Sequence, residues 1–266
     1  MYLPKFLCPR YKTELIRIGR NNDGGYCIPK QSITSSEILY SFGLNDDWSF
    51  EEDFFKENSK TKIYIFDNSV NIKFWIKNFI LNIIDLFKFN KKISNFIKDA
   101  TCYIRYKIFL NKNYIFHIKK HVVDENKNHI KNKKNIDISL PSIQSSFGNN
   151  NYFLKIDIEG NEYRILKDIL INQKGLEGLV IEFHKIDLME DHIINFINKL
   201  TLDLVHVHVN NFGGSNDSGY AKVIEATFSK RENNIIRKDN EFDFPDQSID
   251  QPNNFEFEDS RIVFKD

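Results

Sequence analysis

Phe153 to Leu166 reads FLKIDIEGNEYRIL, and within it the hydrophobic period changes from that of a strand to that of a helix. Phe153 to Ile158 is an apolar strand whose far end carries Asp157 and Glu159. Gly160 breaks it, and a helix opens with Asn161 and Glu162 and continues to about Asn172. In open α/β sheets the carboxyl ends of the strands face the ligand crevice, so acids delivered there are placed for chemistry. The stretch predicts such a sheet, and the rest of the chain supplies its partner strands.

Upstream, Glu37 to Ser41 (EILYS) is a buried-looking strand that runs through Phe42 into Gly43. A glycine directly after a first strand permits the tight turn at which a nucleotide-like cofactor sits. Ser49, followed by Glu51, Glu52 and Asp53, is the candidate N-cap of the next helix. Lys62 to Phe66 (KIYIF) is the second strand and ends on Asp67, about 20 residues past the glycine turn, where a carboxylate accepts hydrogen bonds from a ribose diol. The competing reading of Asp67 is a helix cap.

Tyr114 to Ile118 (YIFHI) is the third strand and runs on to Val123. A short helix capped by Ser139 precedes the central strand. Leu179 to His184 (LVIEFH), Leu204 to Val209 (LVHVHV), Val223 to Phe228 (VIEATF) and Arg261 to Phe264 follow, with an amphipathic helix over 187–200. Strands alternate with helices as far as Val209 and cluster after it. That order predicts an α/β sheet, parallel for most strands, with an antiparallel edge.

Residues 69–112 are too long for a simple crossover. Phe-, Ile- and Lys-rich amphipathic patterns over 71–98 and near 102–110 predict a helical insertion within a single domain of 266 residues. Its expected role is a lid, an acceptor pocket or a dimer contact. Residues 1–35 form a polar, turn-rich lead, whose Asp23-Gly24-Gly25-Tyr26 turn is either a surface turn or a flap over a ligand. Residues 124–137 are a charged loop, and 239–255 are polar with a marked turn at Asp250 to Asn254.

Lys plus Arg and Asp plus Glu both total 37, so no whole-chain field points to nucleic acid. Cys8, Cys27 and Cys102 are odd in number and widely spaced, which argues against a disulfide framework or a zinc knuckle. The start, MYLPKFLCPRYK, lacks a sustained apolar run, and a reducing cytosol is expected. Ile72 to Phe89 is interrupted by Lys73, Lys77, Asn78, Asn82 and Asp85, too polar for a membrane span.

Side chains two apart on a strand share a face. Asp157 pairs with Glu159 in this way, Glu182 with His184, and His206 with His208 and Asn210. Three neighbouring strands are expected to bring these groups to one rim. The set suits general-base chemistry, in which a carboxylate orients an imidazole, or the binding of a divalent metal. For any one of these histidines the competing reading is packing. Trp75 is expected to pack, whereas Trp48 either packs or stacks on an adenine.

The DGGY turn at 23–26, SFGLNDDWSFEEDF at 41–54, Asp67, LKIDIEGNEYRIL at 154–166, IEFH at 181–184, HVHVNN at 206–211 and DQPNN at 250–254 occur in order over nearly the whole chain. In these blocks the chain resembles the FkbM-type methyltransferases, S-adenosylmethionine-dependent enzymes with a Rossmann-like sheet. The resemblance implies methyl transfer to a hydroxyl of a carbohydrate, nucleotide-linked and used in a cell-surface glycan. It places the cofactor at Gly43, its neighbours Asn45 and Ser49, and Asp67, and an acidic central-strand position at Asp157. On that basis His184 or His208 is the expected base, Asp157 orients the acceptor or holds a metal, and Glu159, Glu182 and Asn210 contact the substrate. Segment 69–112 departs from the family's shared core. The rival readings are an NAD-dependent oxidoreductase or epimerase, disfavoured because G-x-G-x-x-G is lacking, and a non-catalytic binding protein on the same fold.

Overall fold

A computed structural model of the chain describes residues 1–88, 96–97, 100–128, 136–238 and 243–266. The remaining parts of the expected 71–98 helix, the 124–137 loop and the 239–255 stretch lie outside the described residues. The lead is more ordered than its polarity suggested. An antiparallel hairpin of β1 (Leu15–Ile18) and β2 (Tyr26–Pro29) carries the Asp23–Gly25 turn at its tip.

The chain then alternates. β3 (Ile38–Phe42) leads to α1 (Ser49–Glu57), and β4 (Lys62–Phe66) leads to α2 (Ile72–Phe87) and α3 (Cys102–Leu110). β5 (Ile115–Ile118), α4 (Leu140–Phe147), β6 (Tyr152–Ile156) and α5 (Leu166–Ile171) follow. β7 (Leu176–His184), α6 (Glu190–Lys199), β8 (Leu202–Val209) and β9 (Val223–Lys230) complete the main body.

Seven strands form one sheet in the order β8-β9-β7-β6-β3-β4-β5. From β7 to β5 every pair is parallel, and β9 runs against both of its neighbours. This is a mostly parallel Rossmann-like sheet with an antiparallel edge. The chain winds outward from β3 through β4 to β5, then returns to β6 and winds the other way. The switch lies between β3 and β6, where the crevice beyond the strand ends opens. The expected strand at 261–264 is Val263–Lys265, which pairs in parallel with Tyr2–Pro4 outside this sheet.

Both faces of the sheet are covered, which is why its strands read as nearly continuous apolar runs. Tyr40, Phe42, Leu154, Ile156, Ile181 and Phe183 face one core, shared with Ile143 of α4, Ile169 of α5 and Phe196 of α6. Leu39, Ile63, Ile65, Phe153 and Val180 face the other, with Tyr26 of β2, Phe54 of α1, Trp75 of α2 and Phe109 of α3. Lys155, Asp157, Glu182 and His184 continue the alternation onto this second face. Trp48 packs there too, its ring stacked 6.0 Å from that of Phe109.

Two local expectations change. The strand in FLKIDIEGNE stops at Ile156, and Glu159 and Gly160 both take left-handed backbone (φ 53° and 88°), so Asp157 and Glu159 do not share a strand face. The helix expected over 161–172 is a 3₁₀ turn at Glu162–Arg164 followed by the short α5. Among the described residues no helix is long and apolar enough to cross a membrane.

Candidate active site

The turn after β3 and the turn after β6 are in contact. Gly43 adopts φ 88°, and a β-carbon there would lie 1.8 Å from the carbonyl oxygen of Asp157, so only glycine fits. The Asp157 amide donates to the Phe42 carbonyl at 2.9 Å, and the Lys155 ammonium donates to the Gly43 carbonyl at 3.0 Å. Two turns far apart in sequence are thus one unit in space.

Asp67 fixes the far side of this unit. Its Oδ2 accepts from the amides of Leu44 (2.9 Å) and Asn45 (3.1 Å), and its Oδ1 accepts from the amide and hydroxyl of Ser69 (2.7 and 2.6 Å). Burial works to raise its pKa, but these four bonds outweigh burial and hold it below the usual carboxylate range. The carboxylate that was expected to bind a ribose therefore shapes the glycine loop, and a diol would share or replace bonds already made. Ser49 opens α1 but does not cap it. The capping position is Trp48, and the Ser49 amide and hydroxyl both donate to Asp47, each at 3.1 Å.

A cavity of about 1000 Å³ runs over these turns and across the ends of β6 and β7. Gly43, Asn45 and Asp67 line one end, and Asp157, Glu159, Glu182, His184 and Asn210 line the other. Asp23, Gly24 and Tyr26 also line it, so the DGGY turn covers the cavity and is no remote surface turn. Ser49, His206 and His208 do not line it.

At the second end, the Tyr26 hydroxyl donates to Asp157 at 3.0 Å and Lys155 lies 3.8 Å from the same carboxylate. Burial disfavours the charged form of Lys155, yet Asp157, Glu51 and Glu182 together raise its pKa, so it stays an ammonium. Glu182 is buried, accepts from the Asn210 amide at 2.6 Å, and is pushed well above the usual carboxyl range by burial, Asp157 and Glu225. Burial and its acidic neighbours thus favour the protonated form of this carboxyl. His184 is half-buried. Its backbone amide donates to Glu162 Oε1 at 2.8 Å, its Nδ1 lies 3.3 Å from the same oxygen, and its Nε2 lies 3.4 Å from exposed Glu159. Burial opposes the imidazolium, but Glu162, Glu159 and Asp157 prevail and the pKa is raised.

The row continues away from the cavity. Glu225 lies opposite both Glu182 and His208, because β9 is inserted between β7 and β8. The expectation of three neighbouring strands is thus corrected. His208 Nδ1 lies 3.4 Å from Glu225 and Nε2 3.0 Å from Asp259, and these acids overcome burial to raise its pKa to about 10. His206 is also buried, 3.1 Å from Asp250, and burial lowers its pKa to about 3.

The sequence reading gave no role at the site to Glu51, Lys155, Glu162 or Glu225, and named Tyr26 only as part of the DGGY turn. A signal existed for two of them, since Lys155 and Glu225 are charged residues inside apolar strands, where charge is costly unless paired. The oxygens of Asp157 and Glu182 and a nitrogen of His184 lie within 4.8 Å of one another, a donor set that also suits a divalent cation.

Comparison with known proteins adds the following. The family model described as Methyltransferase FkbM domain matches residues 3–204. No curated protein matches the chain in sequence. Among solved structures, a precorrin-6y C5,15-methyltransferase from Geobacter metallireducens is 11% identical, covering 76% of this chain and 84% of its own at a TM-score of 0.38. A Streptococcus mutans protein described as a methyltransferase, in complex with SAH, is 14% identical, covering 76% and 92% at 0.38. The Methanococcus jannaschii fibrillarin pre-rRNA processing protein is 10% identical, covering 75% and 68% at 0.39.

Proposed function

This chain belongs to the FkbM methyltransferase family, and we propose that it is a single-domain cytosolic enzyme that transfers a methyl group from S-adenosylmethionine to a hydroxyl oxygen of a carbohydrate. The observation that carries the proposal is that one cavity joins the Gly43–Asp67 turns to the Asp157–His184 rim.

The cavity is the right size for a cofactor and a small acceptor together. The tight Gly43 turn, the backbone around Asn45 and the carboxylate of Asp67 would hold the cofactor. When bound, S-adenosylmethionine supplies a methyl carbon already activated by its positive sulfur. What remains for this chain is to align the acceptor oxygen and remove its proton.

His184 is assigned as the base. Glu162 is buried and bonded to the His184 main chain, so it fixes the ring and favours the tautomer with the proton on Nδ1. That leaves Nε2, on the Glu159 side, as the acceptor of the hydroxyl proton. The carboxyl groups of Asp157 and Glu182 and the amide of Asn210 line the cavity with polar groups able to exchange hydrogen bonds with neighbouring hydroxyls, which favours a polyhydroxylated substrate over an apolar one. His208 is assigned a structural role, and a nucleotide-linked sugar destined for a glycan is the preferred acceptor.

The donor set of Asp157, Glu182 and His184 favours one second reading, in which a divalent cation polarises the acceptor oxygen. Release of S-adenosylhomocysteine, followed over a panel of free, nucleotide-linked and lipid-linked saccharides with and without EDTA, tests both. Saccharide-dependent release that survives EDTA is the expected result. Release only with non-saccharide acceptors would overturn the substrate class, and abolition by EDTA would select the metal-assisted route.

A further inference from the structure

Helix α2 is joined to the body in an unusual way. Of its 16 residues Trp75 alone is buried, and its ring packs 5.1 Å from that of Tyr106 on α3. Besides Leu81, six of its apolar residues face outward: Ile72, Ile76, Phe79, Ile80, Ile84 and Phe87 are all exposed, Phe87 by 78%. At about 100° per residue these six fall within one arc of about 140°. Lys73, Lys77 and Lys88, also exposed, follow its border. Between the helices a hollow of about 490 Å³, lined by Trp75, Phe79 and Tyr103, extends the apolar surface inward.

Charge distinguishes the occupants of such a face. Residues 71–112 contain eight lysines and one arginine against two aspartates, although the whole chain is neutral. The segment is thus basic in composition within an otherwise acidic chain. An isologous contact with a second copy would bring this basic segment against itself. An anionic bilayer meets both halves of the pattern: Phe and Ile enter the acyl boundary while the lysines meet headgroup phosphates. The helix lies in the interface and does not span it.

We propose that α2 docks this protein, through its exposed apolar arc and lysine border, on an anionic phospholipid surface.

The test is co-sedimentation of the full-length protein with vesicles of phosphatidylcholine alone or mixed with phosphatidylglycerol, at low and high salt. Binding to the anionic vesicles is expected, weakening at high salt. The triple variant Lys73→Glu, Lys77→Glu, Lys88→Glu should lower it at least about tenfold. The double variant Phe79→Ser, Phe87→Ser should do likewise without changing the thermal midpoint, since both side chains are exposed. Wild-type protein that stays in the supernatant with anionic vesicles would overturn the proposal. So would a Phe double variant that converts a dimer to a monomer in light scattering while vesicle binding is unchanged, which would assign the face to a second copy.

Discussion

His184 and His208 stand in similar sequence patterns, IEFH and HVHVN, each near the end of an apolar strand, yet the fold gives them opposite freedoms. His184 ends β7 at the cavity with a side chain 16% exposed, anchored on one side by buried Glu162. His208 lies inside the sheet at 3% exposure, between Glu225 and Asp259. An imidazole with acids at both nitrogens and no solvent is a fixed cation. One anchored at Nδ1 by buried Glu162, with only the exposed carboxylate of Glu159 near its Nε2 at the cavity, can exchange a proton with a ligand. Carboxylate contact alone therefore does not mark a catalytic histidine. What marks it is a nitrogen at the cavity whose acidic neighbour is exposed and free to yield to a ligand.

The sharpest way to break this contrast is to remove each ring in turn. His184→Ala should lower methyl transfer by about 10²–10⁴-fold, the usual contribution of a general base, with the thermal midpoint almost unchanged. His208→Ala should do the reverse, destabilising the fold by about 3–5 kcal/mol in urea titration because it leaves buried Glu225 and half-buried Asp259 without the cation between them. Equal effects of the two variants on turnover would erase the distinction.

A smaller effect sharpens it. Glu162→Gln keeps the size of the side chain but removes the charge that raises the His184 pKa, so kcat/KM should fall by about tenfold. Its acid limb should also move to lower pH. A profile unchanged from wild type would detach Glu162 from the base.

A further effect concerns pH and stability. The His208 pKa is about 10 in the folded chain against an ordinary value of 6.5. Above pH 6.5 the unfolded chain gives up a proton that the folded chain keeps, so stability from this group is full below that pH and declines toward pH 10. His206, lowered to about 3, behaves oppositely: its contribution is present above 6.5 and is lost on acidification. Urea midpoints at pH 6 and 9 for wild type and His208→Ala should converge as pH rises. Parallel curves would remove His208 as the cause.

The contrast also shows what the sequence could tell. FLKIDIEGNE was legible because a strand, a glycine break and acids in ten residues leave few alternatives, and Gly43 and Asp67 were legible from their positions after consecutive strands. The insertion of β9 between β7 and β8 was not, because period-2 alternation records which face a side chain takes but not which strand lies beside it. That separation puts His208 beside Glu225 and away from Asp157. Glu159 was misplaced for a related reason: alternation was carried past Ile156 into a turn where it no longer applies. Asp67 was found by position, but its four donors come from loops whose geometry no spacing rule contains.

The central claim is that the Gly43 turn and the His184 rim are the two ends of one cofactor and acceptor cavity. Calorimetric titration of S-adenosylmethionine into wild type, His184→Ala and Gly43→Ala tests it without knowledge of the acceptor. The account predicts that His184→Ala binds within about twofold of wild type, and that Gly43→Ala, whose β-carbon would meet the Asp157 carbonyl, loses binding by at least about tenfold. Wild-type affinity in Gly43→Ala, or no binding in wild type, would contradict it.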